Sequence, residues 1–222
     1  MKIKAANKAL RQQAGYTLIE LSISVAIIAV LVLTGLYGVP RILDTNKVTT
    51  ASQQITLATA NYSKLASTST DKTWATTGVA YVPATALPLA GMGVWPEESV
   101  LKSTAVPPIA YGLKHTFGGF IYSRNTTAGI NGYLGTDEGY LLKLEKVPAK
   151  NCFDMASAFG NTALQIGVDS IAAPIAGPIT AEPPANTVNV KAAGSALNNT
   201  TLASQCQTNP TAAKTIYLWF QY

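Results

Sequence analysis

The sequence has little charge and few of the side chains that enzymes use for catalysis. Only 12% of its 222 residues are Asp, Glu, Lys or Arg, about half the usual share. His115 is the only histidine, and no Gly-x-Ser-x-Gly nucleophile motif, His-Glu-x-x-His pair or phosphate-binding glycine loop accompanies it. We therefore predict a protein that is not an enzyme and has no cofactor, and we expect His115 to be structural.

Metal ligands are equally scarce. One histidine and two cysteines cannot supply the four ligands of a structural zinc site. Asp137 and Glu138 could suggest calcium, but no further carboxylates converge on them in the sequence. We interpret Thr136–Gly139 as a solvated tight turn and predict no metal site.

The excess of positive charge is confined to the N-terminus. Four of the 16 basic residues, Lys2, Lys4, Lys8 and Arg11, precede Gly15, and without them 12 basic residues balance 11 acidic ones. Basic residues ahead of an apolar run are a topology signal that holds the terminus in the cytoplasm. Because no basic patch with interleaved aromatic residues remains, we expect no direct binding to nucleic acid.

The chain has only two cysteines, Cys152 and Cys206. They lie on the side of the apolar run that would be exported, and in an oxidising compartment two cysteines most simply pair. A loop of about 55 residues closed in this way gains about 4 kcal/mol of stability in the chain-entropy model. Two free buried thiols are the alternative.

The most informative stretch is Gly15-Tyr16-Thr17-Leu18-Ile19-Glu20, followed by an apolar run from Leu21 to Leu36. A helix from Tyr16 to Leu36 would be about 30 Å long, the thickness of a bilayer core. Glu20 is the only carboxylate in it, and a carboxylate inside such a span costs about 2.5–3.5 kcal/mol. A plain membrane anchor has no reason to carry this costly residue, so we predict that Glu20 pairs with a positively charged group.

These residues resemble the processing site and N-terminal segment of type IV prepilins and of the related type II secretion pseudopilins. The resemblance implies that prepilin peptidase cuts after Gly15, releases a leader peptide of residues 1–15, and methylates the new α-amino group of Tyr16. It also implies that Glu20, then the fifth residue, neutralises the Tyr16 amino group of a neighbouring subunit during assembly. A secretory signal peptide cut near Gly38 is the competing interpretation, and Glu20 within its apolar region counts against it.

The rest of the N-terminal part is predicted to be one long helix in two halves. Residues 16–39 form the hydrophobic transmembrane and filament-core half, and residues 40–66 form an amphipathic half. Gly35, Gly38 and Pro40 predict a kink or a locally unwound stretch between them. The amphipathic half has apolar residues at steps of three and four, which would lie against a sheet: Val48, Ala51, Ile55, Ala58, Tyr62 and Leu65.

Residues 67–222 are predicted to form a globular head. Ala66–Pro108 indicates a long connecting loop with at most a short helix near Glu97–Lys102. Ile109–Arg124 and Gly132–Val147 predict antiparallel strands, and Asn125–Asn131 supplies the turn between them.

The C-terminal part of the head has a cysteine before a short helix, a variable segment, a second cysteine and a final strand. We expect the short helix around Phe153–Phe159, loops and short edge strands over 167–205, and a buried central strand over Thr215–Tyr222. This order resembles the C-terminal disulfide region of type IVb pilins, here residues 152–206.

The predicted fold class is therefore α+β, with a long N-terminal helix packed against an antiparallel sheet and a C-terminal disulfide region. The resemblance implies a major pilin of a type IVb-like pilus, a homo-oligomer that resides in the inner membrane before it is assembled outside the cell. Adhesion, aggregation and conjugative mating contact are the expected roles. The alternatives are a minor pilin, a type II secretion pseudopilin, or a membrane-anchored periplasmic binding protein with a ligand groove near Trp74–Trp95.

Overall fold

The computed structural model of the protein describes residues 17–70, 87–128, 134–169 and 187–222. The chain divides into two compact units, Met1–Leu43 and Asp44–Tyr222. A helix, α1, spans Leu18–Thr68 and contributes residues to both units. The prediction of one long N-terminal helix is confirmed.

Pro40 lies inside α1, and the helix is unbroken through Gly35, Gly38 and Pro40. Of the two predicted outcomes, a kink or an unwound stretch, the unwound stretch does not occur. Proline removes one backbone hydrogen bond, but the helical bonds on either side of it are retained. The Thr34 hydroxyl also donates to the carbonyls of Val30 and Leu31, at 3.1 and 2.9 Å.

In the second unit, α1 buries one face. The side chains at the predicted apolar positions are buried in the core, with Leu65 partly buried beside them: Val48, Ala51, Ile55, Ala58 and Tyr62. Steps of three and four residues place them on one side of a helix with 3.6 residues per turn. The Tyr62 ring stacks on Tyr140 of the main sheet with 4.2 Å between ring centroids. The amphipathic half therefore packs against the sheet as predicted.

The main sheet contains five antiparallel strands. They are β3 Ile121–Ala128, β4 Leu134–Val147, β5 Gln165–Asp169, β6 Thr187–Lys191 and β7 Lys214–Gln221. Their spatial order is β3, β4, β7, β5, β6. The last strand of the chain is thus the central one, and the prediction of a buried C-terminal strand is confirmed.

A smaller sheet pairs β1, Val100–Lys102, with β2, Ala110–Leu113. A short helix, α2, spans Pro88–Gly91 just before it. The helix predicted near Glu97–Lys102 is largely wrong, since only one 3-10 turn forms, at Glu97–Ser99. The following residues pair with β2, a contact between distant parts of the chain that local composition does not reveal.

The predicted strand Ile109–Arg124 is two strands, because the chain turns at 116–119 before β3 begins. Gly118 has a φ of +83°, a backbone conformation that favours glycine. The turn predicted at Thr136–Gly139 is wrong, because these residues lie in β4. Of the turn predicted at Asn125–Asn131, residues 125–128 lie in β3 and residues 129–131 lie outside the described residues. β3 continues to Ala128 and β4 begins at Leu134, since pairing between the two strands extends both ladders.

Two short helices complete the second unit. α3 spans Ala149–Ser157 and confirms the predicted helix at the first cysteine. α4 spans Asn199–Gln207, within a region predicted to be loops and edge strands. Its signal was the N-cap residue Asn198, whose side chain accepts a hydrogen bond from the Thr201 N–H at 3.0 Å. The predicted α+β fold class is confirmed.

Candidate functional site

The first unit presents an apolar surface that none of its described residues, 17–43, covers. We call Leu18–Leu43 the apolar segment. Its 16 large apolar side chains are all exposed, from 53% at Val32 to 88% at Leu18. Among the described residues, α1 is the one helix long and apolar enough to cross a membrane, judged by length and composition alone.

Covering these apolar side chains would release a large free energy. Full burial of one Val, Leu or Ile side chain contributes about 1.5–3 kcal/mol. Burial of all 16 side chains would therefore contribute on the order of 30 kcal/mol. The apolar segment thus requires lipid or other apolar helices around it.

The first turn of α1 is capped by Thr17. The Thr17 hydroxyl oxygen accepts from the Glu20 N–H at 3.3 Å, and the Thr17 carbonyl accepts from the Leu21 N–H at 3.1 Å. Thr17 and Glu20 have the spacing of a capping box, in which threonine and glutamate each serve a free backbone N–H. A carboxylate in the first turn also opposes the positive end of the helix dipole. The Glu20 carboxylate therefore favours the start of the helix through the dipole alone, a local effect that the sequence analysis missed.

The Glu20 carboxylate is nevertheless free to meet another molecule. Glu20 is exposed, and it forms no ion pair with any residue that the structure describes. Gly15 and Tyr16, the predicted processing residues, lie outside the described residues. The predicted contact between Glu20 and Tyr16 of another subunit therefore stays a prediction.

Between Val48 and Ser63, the exposed side of α1 carries hydroxyl groups and no charge. From Val48 to Ser63 the helix has no charged residue. Five of its hydroxyls donate to carbonyls one turn earlier, at 2.7–3.2 Å: those of Thr49, Ser52, Thr56, Thr59 and Ser63. We call this side the hydroxyl face. Since the donors of these five hydroxyls are satisfied inside the helix, the five groups can lose water without being left unpaired.

The disulfide between Cys152 and Cys206 joins α3 to α4, with 5.6 Å between the two Cα atoms. Both cysteines are buried. The predicted pairing is confirmed, and the described residues contain no free cysteine. The disulfide therefore ties the two helices of the C-terminal region to each other.

His115 is buried in the turn between β2 and β3. Its Nδ1 accepts from the Phe117 N–H at 3.3 Å, so Nε2 carries the proton and donates to the Glu145 carbonyl at 2.6 Å. Burial lowers the pKa of His115 to about 4, which keeps the ring neutral near pH 7. Both ring nitrogens are used in holding the turn, as expected for a structural histidine.

The other candidate residues of the sequence analysis lie partly outside the described residues. Among the described residues, no group of three or more His, Cys, Asp or Glu side chains could hold a metal ion. Asp137 and Glu138 belong to β4, but their side chains lie outside the described part. Trp95 is buried with its ring nearly perpendicular to that of Tyr62, at 6.4 Å between ring centroids, and Trp74 lies outside the described ranges.

Comparison with known proteins gives a match for the N-terminal segment and a match for the fold. Residues 10–36 match the family model of the prokaryotic N-terminal methylation motif. The chain is similar to the crystal structure of a type IVb pilin from Salmonella typhi, with a TM-score of 0.50, 15% identity, and coverage of 78% of this chain and 99% of that chain.

A second solved structure is TcpA, a type IV pilin from the El Tor biotype of Vibrio cholerae. Its identity is 15% over 78% of this chain and 98% of that chain, and its TM-score of 0.41 is too low to add to the argument. No curated protein sequence matches the chain.

The motif and the apolar helix fit a precursor that is anchored in the inner membrane and assembles into surface pili. Pilins are structural proteins rather than enzymes. The N-terminal methylation motif and the type IVb pilin fold confirm the resemblance inferred from the sequence, and together they support a pilin subunit of the type IV superfamily, similar to its type IVb members.

Proposed function

We propose that this chain is the major structural subunit of a type IVb-like pilus. Prepilin peptidase would cut it after Gly15 and methylate Tyr16, and the mature chain would polymerise through α1 into an extracellular filament. The observation that carries the proposal is the apolar segment, whose 16 large apolar side chains are all exposed.

The same surface suits both stages of this life cycle. Before assembly, lipid covers the apolar segment. After assembly, the apolar segments of other subunits replace lipid, and van der Waals packing holds them together. The hydroxyl face, which follows in the chain, is also suited to burial between subunits, because it has no charge and five of its hydroxyl donors are satisfied within the helix.

Glu20 would fix the register of the helices. Removing a carboxylate from water is costly unless an opposite charge is buried with it. The new α-amino group of Tyr16 would supply such a charge. It would meet Glu20 of a neighbouring subunit only when the two α1 helices are shifted along their axes by one particular distance. Attraction between the two groups is strong once both leave water.

Variants of Glu20 separate this role from helix capping. Glutamine at the same position keeps the capping-box pattern but removes the charge, so Glu20→Gln should reduce the subunit recovered in sheared filaments at least tenfold. Thr17→Ala is the matched control, since it weakens the cap by about 1 kcal/mol and keeps the carboxylate. Filaments of Glu20→Gln in wild-type amounts would remove the proposed role of the charge.

Abundance distinguishes a major pilin from a minor pilin or a pseudopilin. A major pilin should dominate the protein of sheared filaments, whereas either alternative would be a trace component. A periplasmic binding protein would instead keep residues 1–15 and bind a small ligand saturably. Adhesion, aggregation and conjugative mating contact would all be served by the head on the filament surface.

A further inference from the structure

Two separate apolar features stand out on the second unit. Among its described residues, three large apolar side chains are exposed: Leu57 at 58%, Met92 at 50% and Val106 at 97%. Val106 lies in the loop between β1 and β2, while Met92 lines a groove beside α1. Contiguous apolar surface marks protein contacts, whereas single exposed apolar side chains are common, so the candidates are the two places where apolar residues gather, the loop around Val106 and the groove beside Met92.

The first feature is the hairpin tip, which we define as Ser103–Ile109. The Ser103 N–H donates to the Ile109 carbonyl at 2.8 Å, and the Ile109 N–H donates to the Ser103 hydroxyl at 3.0 Å. These two bonds close the base of the tip, and residues 104–108 are exposed. The tip contains no charged residue. A closed, apolar tip loses little conformational freedom when it binds.

The second feature is the α1 groove, a space of about 200 Å³ lined by Asn61, Lys64, Leu65, Met92, Gly93 and Val94. The Asn61 side-chain NH₂ donates to the Val94 carbonyl at 2.9 Å and holds the two walls together. The space is many times larger than the volume of about 10–15 Å³ that one water molecule needs, so a valine side chain fits. Leu57 lies one helical turn before Asn61, on the same side of α1, and extends the groove with an apolar surface.

We propose that the hairpin tip of one subunit docks through Val106 into the α1 groove of a second copy of this chain. This inference rests on the proposed polymerisation. Contact between two different patches of identical subunits is heterologous, and such contacts build open helical filaments. The α1 groove adjoins the hydroxyl face, so the docked tip would extend the interface already proposed along α1. Lys64 is the only charged residue lining the groove, and an uncharged tip does not repel it.

Charge substitutions at the tip test the contact. Val106→Lys places a second cation beside Lys64, so we expect at least tenfold less subunit in sheared filaments. Adding Lys64→Glu should restore the yield to within threefold of wild type, because the pair becomes attractive. Ala196→Lys, at another exposed position, is the control and should leave the yield unchanged. A normal yield from Val106→Lys, or no rescue by Lys64→Glu, would overturn the proposal.

Cross-linking tests the proximity of the two features in assembled filaments. Filaments of the double variant Val106→Cys with Met92→Cys should give a ladder of multimers with a short bifunctional thiol reagent. The control pair, Ser195→Cys with Met92→Cys, should not. Intact filaments without a ladder would refute the docking alone, whereas a wild-type chain that forms no filaments would refute the proposed function.

Discussion

His115 should make the folded head sensitive to mild acid. In the folded chain its ring is buried between the Phe117 N–H and the Glu145 carbonyl. Protonation would place a hydrogen on Nδ1, directly against the Phe117 N–H. Burial of the ring, which disfavours its charged form, lowers the pKa of His115 from 6.5 to about 4.

The direction and size of the effect follow from linkage. The unfolded chain takes up this proton near pH 6.5 and the folded chain only near pH 4, so between these values the unfolded state binds more protons. Stability is therefore fully present above pH 6.5 and falls as the pH drops toward 4. At 1.36 kcal/mol per pKa unit, the loss from His115 is about 3 kcal/mol.

Denaturant unfolding of the detergent-solubilised full chain, followed by tryptophan fluorescence, measures this loss. We compare wild type with His115→Gln, which cannot titrate in this range. The wild-type chain should lose about 3 kcal/mol more than the variant between neutral pH and pH 4, even if the variant is less stable at neutral pH. Identical pH dependence of the two proteins would refute the account of His115.

Two further changes test the packing of the head. Replacing Cys152 and Cys206 by serine should lower the free energy of unfolding by about 4 kcal/mol, measured by denaturant titration; a loss below about 1 kcal/mol would contradict a stabilising disulfide. Gly119→Ala should cost about 3 kcal/mol or more, because a Cβ there would lie 1.8 Å from the Glu145 carbonyl oxygen. Gly91→Ala is the control, because a Cβ there meets nothing within 4 Å. Equal melting temperatures for the two variants would contradict the prediction, since they would mean that the turn at Gly119 can shift to accept a Cβ.

The features predicted correctly from the sequence depend on local pattern. The apolar run, the stripe from Val48 to Leu65 and the aromatic C-terminal strand each follow from the periodicity of neighbouring residues. The Gly15 to Glu20 motif likewise depends on residues adjacent in the sequence. Such signals need no knowledge of the tertiary structure.

The errors arise where distant residues decide the structure. Val100–Lys102 becomes a strand because β2 pairs with it, and β3 extends to Ala128 because β4 continues alongside. The α1 groove depends on a hydrogen bond between Asn61 and Val94, which no local pattern indicates. The residues of the hydroxyl face, in contrast, follow a local pattern of Ser and Thr at steps of three and four residues. Their hydrogen bonds to carbonyls of the same helix were known only from the structure.

The intact mass of the subunit in material sheared from the cell surface tests the central claim most directly. We predict a chain that begins at Tyr16, is heavier by one methyl group, and is lighter by two hydrogens because Cys152 and Cys206 are joined. Such a spectrum would establish processing, methylation and export together. A chain that begins at Met1 and is found only in membranes would make the apolar segment a permanent anchor and contradict the proposed filament.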